Sequence, residues 1–307
     1  MTSSNPKTVH LRLPATSANL GPGFDAMAIA MGFFLEIDAT VGPGFSIAAA
    51  GRNAEICGAL SQNLLIETYE SVLVAEGKPV TPLHLQMRNG IPVGMGCGSS
   101  AATRLAGVAL AAAFGELGWD AARIVEHAIR LEGHPDNVAA CWHGGLSIVA
   151  NTEPMAILSI LPPRGWSALV VLPELPLSTT KARSALPLTY SRQDVVANLQ
   201  SASLLTGAFA LGRSDLMRAA TMDRLHQPYR ASLCPLLPAL LPLAGTRGVL
   251  SVTLSGAGPS VLLLTERPAE EHLKQGIREL AEAICPVEIL ATELCGEGAV
   301  MNYQASD

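Results

Sequence analysis

The sequence predicts an α+β fold of two lobes, and three observations carry that prediction. Two-residue alternation typical of strands and the 3.6-residue spacing of helices recur in each half, without the regular strand–helix beat of a parallel sheet. A proline-rich joint, LPPRG at 161–165, separates the halves, so the lobes are expected at residues 1–162 and 163–307. Hydrophobic residues make up 49% of the 307 and charged residues 15%, which suits a large core that needs no disulfide or metal to hold it.

The elements follow in order. TVHLRLPA (8–15) alternates apolar and polar residues and is expected to be the first strand, followed by strands in FFLEIDATV and FSIAAAG across a Gly-Pro-Gly turn. SQNLLIETYESVLVAEG places Leu64, Leu65, Tyr69, Val72 and Leu73 on one helical side and stops at Gly77. LHLQMRNGI is a strand, Ala101 to Leu117 an alanine-rich helix, and AARIVEHAIRLEG a helix ending at Gly133. GGLSIVAN, MAILSIL and WSALVVLPE are strands around the joint. The second half holds helices in VVANLQSASLLTGAFALG and DLMRAATM, strands in GVLSVTLSG and SVLLLTE, a helix in EEHLKQGIRELAEAI and a last strand in VEILATEL.

Composition excludes several functions. A net charge of −6 with no Lys/Arg run argues against a nucleic-acid partner. The six cysteines form no Cys-x-x-Cys pair and no zinc spacing, so they are expected as reduced thiols in the cytoplasm. MTSSNPKTVHLRLPA has no apolar core of a signal peptide, and the long uncharged runs are broken by proline or glycine, so no membrane partner is expected.

PVGMGCGSSAA, from Pro92 to Ala102, carries the chemistry. Gly94, Gly96 and Gly98 allow positive φ and leave backbone N–H groups uncovered, and Ser99 or Ser100 is expected to cap the helix that follows. A helix N-terminus with free amides and about half a positive charge cradles phosphate. The loop is not a P-loop, since no lysine follows the glycines. It is not a dinucleotide fingerprint, since serine stands at 99 where glycine is needed, and no Gly-x-Ser-x-Gly elbow is present.

Pro-x-x-x-Gly-x-Gly-Ser-Ser-Ala-Ala resembles the nucleotide motif of the GHMP small-molecule kinases, named for galactokinase, homoserine kinase, mevalonate kinase and phosphomevalonate kinase. PATSANLGPGFDAMAIAM (14–31) resembles that family's N-terminal motif and LSGAGPSVLLL (254–264) its C-terminal glycine motif. Cys97 departs from the usual leucine and Ser260 from the common threonine; Cys97 is expected to pack rather than react. Within the family, Thr16 and Ser17 replace the basic residue of mevalonate and galactose kinases. Asn19-Leu-Gly-Pro-Gly-Phe-Asp25, LEGHPDNVAA (131–140), STTKARSALP (178–187) and DRLHQPYRASLCP (223–235) resemble homoserine-kinase segments.

The resemblance implies a ribosomal-protein-S5-domain-2-like N-terminal lobe and a ferredoxin-like C-terminal lobe. It implies ATP and Mg²⁺ as cofactors and L-homoserine as phosphoryl acceptor, with another GHMP kinase or a non-catalytic nucleotide sensor as alternatives. Nucleotide contacts fall on Pro92, Val93, Gly94, Met95, Gly96, Cys97, Gly98, Ser99, Ser100, Ala101, Ala102, Gly256 and Gly258. Substrate contacts fall on Asn19, Asp25, His134, Asn137, Thr179, Arg183 and Arg230. Asp25 with Asn19 suits the ammonium, and the guanidinium forks of Arg183 and Arg230 suit the carboxylate. The expected catalytic residues are Asn137, near the accepting hydroxyl, Asp136 as a candidate base, and Arg183. Magnesium is expected on Ser100 and on one glutamate, either Glu132, which is preferred, or Glu126; six residues and about 600° of helix rotation apart, the two point to different sides. Apolar surface on the second lobe suits a homodimer.

Overall fold

A computed structural model describes residues 8–269 and 271–304 of the chain. Residues 1–7, read above as lacking a signal peptide, and Glu270, at the expected start of the last helix, lie outside the described residues.

The first sheet is built on two long strands, β1 (Thr8–Asn19) and β2 (Gly23–Val41), paired antiparallel through bulges at Pro14/Ala15 and Ala18/Asn19. Both run further than alternation alone predicts. The stretches PATSAN (14–19) and MAIAM (27–31) are buried on both faces and so carry no two-residue pattern. β3 (Ser46–Gly51) pairs parallel with β4 (Leu83–Asn89), and β4 pairs antiparallel with β2. Short α1 (Ala54–Gly58) and α2 (Leu64–Ala75) connect them; Asn63 caps α2 through the N–H groups of Leu65 and Ile66.

α3 (Ser99–Phe114) follows the glycine loop, then α4 (Ala121–Glu132), capped by Asp120, and α5 (Asp136–His143). Ala101, Ala102, Leu105, Ala106, Val108 and Ala109 are fully buried, because small side chains let α3 pack on α2, α4 and β1 at once. β5 (Leu146–Ala150) pairs with β2 and with β6 (Ala156–Ile160).

The second sheet holds β7 (Ser167–Pro173), β8 (Val249–Leu254), β9 (Val261–Thr265) and β10 (Val287–Glu293), in the order β10-β7-β9-β8 and antiparallel throughout. That is the ferredoxin-like arrangement. β7, β8 and β9 read as near-continuous apolar runs because both faces are covered, while β10 at the edge is partly exposed. Val170, Leu262 and Leu264 turn toward the core shared with the first lobe, and their neighbours Val171, Val261 and Leu263 toward a second core. Between β7 and β8 lie α6 (Thr179–Ser184), α7 (Arg192–Ala210), α8 (Met217–Ala220), α9 (Gln227–Arg230) and α10 (Leu236–Leu240). α11 (Glu271–Glu282) precedes β10.

One strand was absent from the sequence reading. β11 (Val300–Gln304) returns from the second lobe to pair antiparallel with β1, completing the seven-stranded first sheet.

Candidate active site

A cleft of about 720 Å³ lies where the two lobes meet. It is lined by Asn19, Asp25, Gly94, Gly96, Cys97, Gly98, Ser99, Ser100, Glu132, His134, Asp136, Asn137, Thr179, Arg183, Arg230, Gly256 and Gly258, so residues expected from six separate segments converge. Pro92, Val93, Met95, Ala101 and Ala102 do not line it. Pro92 is buried, Met95 packs on the core, and Ala101 and Ala102 face inward under α3, so those side chains support the loop from behind.

The loop is made by backbone, not by serine caps. Gly98 is itself the N-cap of α3, at φ 71°, with no side-chain cap bond. The expectation that Ser99 or Ser100 caps the helix is therefore corrected. A left-handed glycine already turns the chain, which frees the Ser100 hydroxyl to donate to Glu132 Oε2 at 2.9 Å. Ala102 N–H makes the first helical bond, to the Gly98 carbonyl, so the amides before it point outward unmatched by the helix. Gly96 must be glycine for a second reason: a Cβ there would fall on the Ser255 carbonyl oxygen of the opposing lobe. Cys97 is buried, its carbonyl accepts from Thr16 N–H, and burial pushes its thiol up to about 12.

Three contacts stitch the lobes across this seam. Asn19 Nδ2 donates to the Gly256 carbonyl (2.8 Å), Gly256 N–H to the Ala18 carbonyl (3.1 Å), and Ser255 Oγ to the Gly96 carbonyl (2.7 Å). Asn19 Oδ1 in turn accepts from Asp25 N–H at 3.0 Å. Asn19, expected to face a substrate ammonium, thus spends both ends of its amide holding the Gly-Pro-Gly turn. Asn19, Leu20 and Asp25 all have positive φ, a strained trio held by those bonds.

Asp25 and Arg183, 158 residues apart, pair through two parallel bonds of 2.8 Å. That hydrogen bonding raises the Arg183 pKa. Arg230 is only 1% exposed, and among the described residues no carboxylate forms an ion pair with it. Burial, and then the nearby Arg183 charge, lower its pKa. The Phe24 ring lies 5.4 Å from the Arg183 guanidinium and 5.3 Å from that of Arg230.

At the N-terminus of α5, Asp136 Oδ1 accepts from Asn137 N–H (2.7 Å) and Nδ2 (3.2 Å), while Asn137 Oδ1 accepts from Thr16 Oγ1 (2.7 Å). Asn137 is so held beside Gly98. His134 Nδ1 lies 3.3 Å from Asp136 Oδ1, and the carboxylate beside it raises its pKa more than burial lowers it. The proton on His134 thus stabilises the fold fully below its unfolded value near 6.5, and the contribution is lost as pH rises through the raised folded value. An NMR titration should place the His134 midpoint above 6.5, and Asp136→Asn should lower it. A midpoint at or below 6.5 would discount the pairing.

Glu132 Oε2 meets both Ser100 and Arg104, whose Nε is 2.8 Å away. Glu126 is half-exposed and paired with Arg130 on the same helix, away from the cleft. Arg104 was missed in the sequence, although it lies one helical turn past Ser100 and shares its face. Phe24 and Thr180, which also line the cleft, had no periodic signal to reveal them.

The arrangement sets a glycine loop at a helix N-terminus with one hydroxyl–carboxylate pair at one side of the cleft and a carboxylate with two guanidinium groups at another. Comparison with known proteins identifies the family. The description "GHMP kinases N terminal domain" matches residues 63–145 and "GHMP kinases C terminal" residues 203–283. Homoserine kinase of Solibacter usitatus is 43% identical over 288 residues, covering 92% of each chain. Homoserine kinase of Moorella thermoacetica is 36% identical, covering 95% of this chain and 99% of its own. The crystal structure of homoserine kinase from Cytophaga hutchinsonii, 22% identical, superposes with a TM-score of 0.81 over 98% of this chain and 99% of its own, a likeness of fold. The chain belongs to the GHMP kinase family.

Proposed function

We propose that the chain is a homoserine kinase, which transfers the γ-phosphoryl group of ATP to the side-chain hydroxyl of L-homoserine and yields O-phospho-L-homoserine for threonine synthesis. The observation that carries the substrate is Arg230, a buried guanidinium with no carboxylate partner of its own among the described residues. A buried charge left unpaired costs several kcal/mol, so the site is built to receive an anion. Asp25 takes the ammonium of the same substrate, and Arg183, released from Asp25, joins Arg230 on the carboxylate. Thr179 and His134 line the substrate's path.

The nucleotide's phosphates rest on the amides of Gly96 to Ala101 and face the Gly256–Gly258 turn. Ser100 Oγ and Glu132 Oε2, 2.9 Å apart, fit Mg²⁺, a hard cation that takes few protein oxygens. Bound there, the ion would neutralise charge on the β- and γ-phosphates. Asn137 orients the acceptor hydroxyl, and Asp136 beside it takes the proton that the hydroxyl releases. Phosphoryl transfer asks mainly for such positioning and charge stabilisation. Six free cysteines fit a reducing cytoplasm, and Val195, Val196 and Leu199, exposed on α7, fit a homodimer.

Turnover of ATP-Mg²⁺ with a panel of hydroxy amino acids tests this reading. Preference for homoserine supports it, preference for another alcohol indicates a different GHMP kinase, and binding of nucleotide without turnover indicates a sensor. A second result is expected at the metal pair. Ser100→Ala and Glu132→Gln should raise the Mg²⁺ requirement and lower turnover, while binding of metal-free ATP changes little. Glu126→Gln should do neither, and a crippled Glu126 variant would move the metal off Glu132.

A further inference from the structure

Arg230 reaches the cleft as a buried residue of the short helix α9, and its guanidinium is aimed by two neighbours. Its Nε donates to the Ala182 carbonyl at 3.1 Å, and its Nη1 lies 3.0 Å from Nδ1 of His226, one helical turn earlier. His226 is fully buried, and its Nε2 lies 2.8 Å from the carbonyl oxygen of Gly21, in the β1–β2 turn of the other lobe. These partners dictate the tautomer. A guanidinium only donates and a carbonyl only accepts, so Nδ1 must carry the lone pair and Nε2 the proton.

The surroundings keep the ring neutral. Burial pushes its pKa down to about 4, and a second proton would set N–H against N–H beside the Arg230 charge. Asp223 comes within 3.5 Å of Nε2, but its oxygens already accept from the N–H groups of Leu225, His226 and Gln227. Asp25 adds a weaker attraction from the β2 side. The Phe24 ring stacks on His226, 5.4 Å between centroids at 26°, and so packs against the imidazole and lies near both guanidinium groups.

We propose that His226 is a positioning residue for the anionic end of the substrate: its neutral imidazole ties the Arg230 fork to the Gly21 carbonyl, so the guanidinium is aimed only when the two lobes are in register. The inference rests on the reading of Arg230 as the carboxylate ligand. It separates His226 from a histidine that merely fills space, because each ring nitrogen has its own task.

Two amide variants divide those tasks. His226→Asn sets an amide oxygen near the Nδ1 position and keeps an acceptor for Arg230, while His226→Gln reaches the Nε2 position and keeps only the Gly21 bond. The glutamine variant should raise the KM for homoserine roughly 10- to 100-fold and the asparagine variant by about 3-fold, the cost of a lost charged hydrogen bond against a neutral one. Equilibrium binding of a non-hydrolysable ATP analogue should stay within about 3-fold in both, and melting temperatures check that each folds. In an Arg230→Met background His226→Gln should add no more than about 2-fold, since both changes then strike one interaction. Equal effects of the two amides, or full multiplication in the double variant, would overturn the proposal. In the ligand-free protein, ¹⁵N NMR should find the His226 proton on Nε2, and Arg230→Met should shift the Nδ1 resonance. A proton on Nδ1, or an unmoved resonance, overturns the proposal without reference to any substrate. Failure of the wild type to turn over homoserine would instead sink the functional reading alone.

Discussion

Arg230→Met should cut kcat/KM for homoserine by roughly 30- to 5,000-fold, the ~2–5 kcal/mol expected from breaking a buried charge pair. The substrate carboxylate would enter a desolvated pocket and meet a thioether. Affinity for an ATP analogue should stay within about 3-fold, because the glycine loop is held by Thr16 N–H and the Ser255 hydroxyl, which donate to the Cys97 and Gly96 carbonyls and do not involve Arg230. The melting temperature should move little. Removing an uncompensated buried charge relieves several kcal/mol, while the Ala182 carbonyl and His226 Nδ1 each lose a donor at about 1–3 kcal/mol. Arg230→Lys should rescue only part of the activity, since it restores charge without the planar fork. L-Homoserine amide should mimic the methionine variant and add little to it. Fully additive losses for variant and amide would show that Arg230 holds something else, with nucleotide phosphate the first candidate.

Gly98→Ala should abolish most activity, by about 100-fold or more, and lower the denaturation midpoint. Two costs combine. A φ of 71° is strained for any side chain, at about 1–3 kcal/mol, and the new Cβ would fall on Thr16 Oγ1 and press to 3.2 Å on Asn137 Oδ1. Thr16 is fully buried in β1 and cannot withdraw, and its hydroxyl is the group that holds Asn137. Gly94→Ala is the control. Its φ is also 71°, but its Cβ would meet Pro176 at an ordinary 3.5 Å, so only the strain remains. Denaturant unfolding and single-turnover assays of the two variants separate strain from collision. Equal losses in both would show that Thr16 and Asn137 need no such clearance.

Much of this protein was written locally. The left-handed turns at Gly94, Gly96 and Gly98 were legible because positive φ is a property of single residues, and all three adopt it. The two-lobed α+β class, most long helices and the apolar strands of the second sheet followed from periodicity, since burial of one face repeats every two or 3.6 residues. Family motifs named the segments of the cleft. Where pattern failed, two-sided burial erased the alternation of β1 and β2, or the element was too short to repeat, as with α5, α9 and β11.

Only the tertiary structure decided how the side chains combine. Asp25 and Arg183 were expected at opposite charges of one substrate, and the fold pairs them with each other across 158 residues. Asn19 was expected at the ammonium, and its amide donates to the second lobe's Gly256 carbonyl while lining the cleft. Arg230 ends up buried with no carboxylate ion pair among the described residues, and His226 lies between its guanidinium and the Gly21 carbonyl of the other lobe. Sequence spacing governs contacts within one turn or one strand pair. A hydrogen bond between lobes exists only after both sheets have closed and brought distant residues within 3 Å, a condition no local pattern encodes.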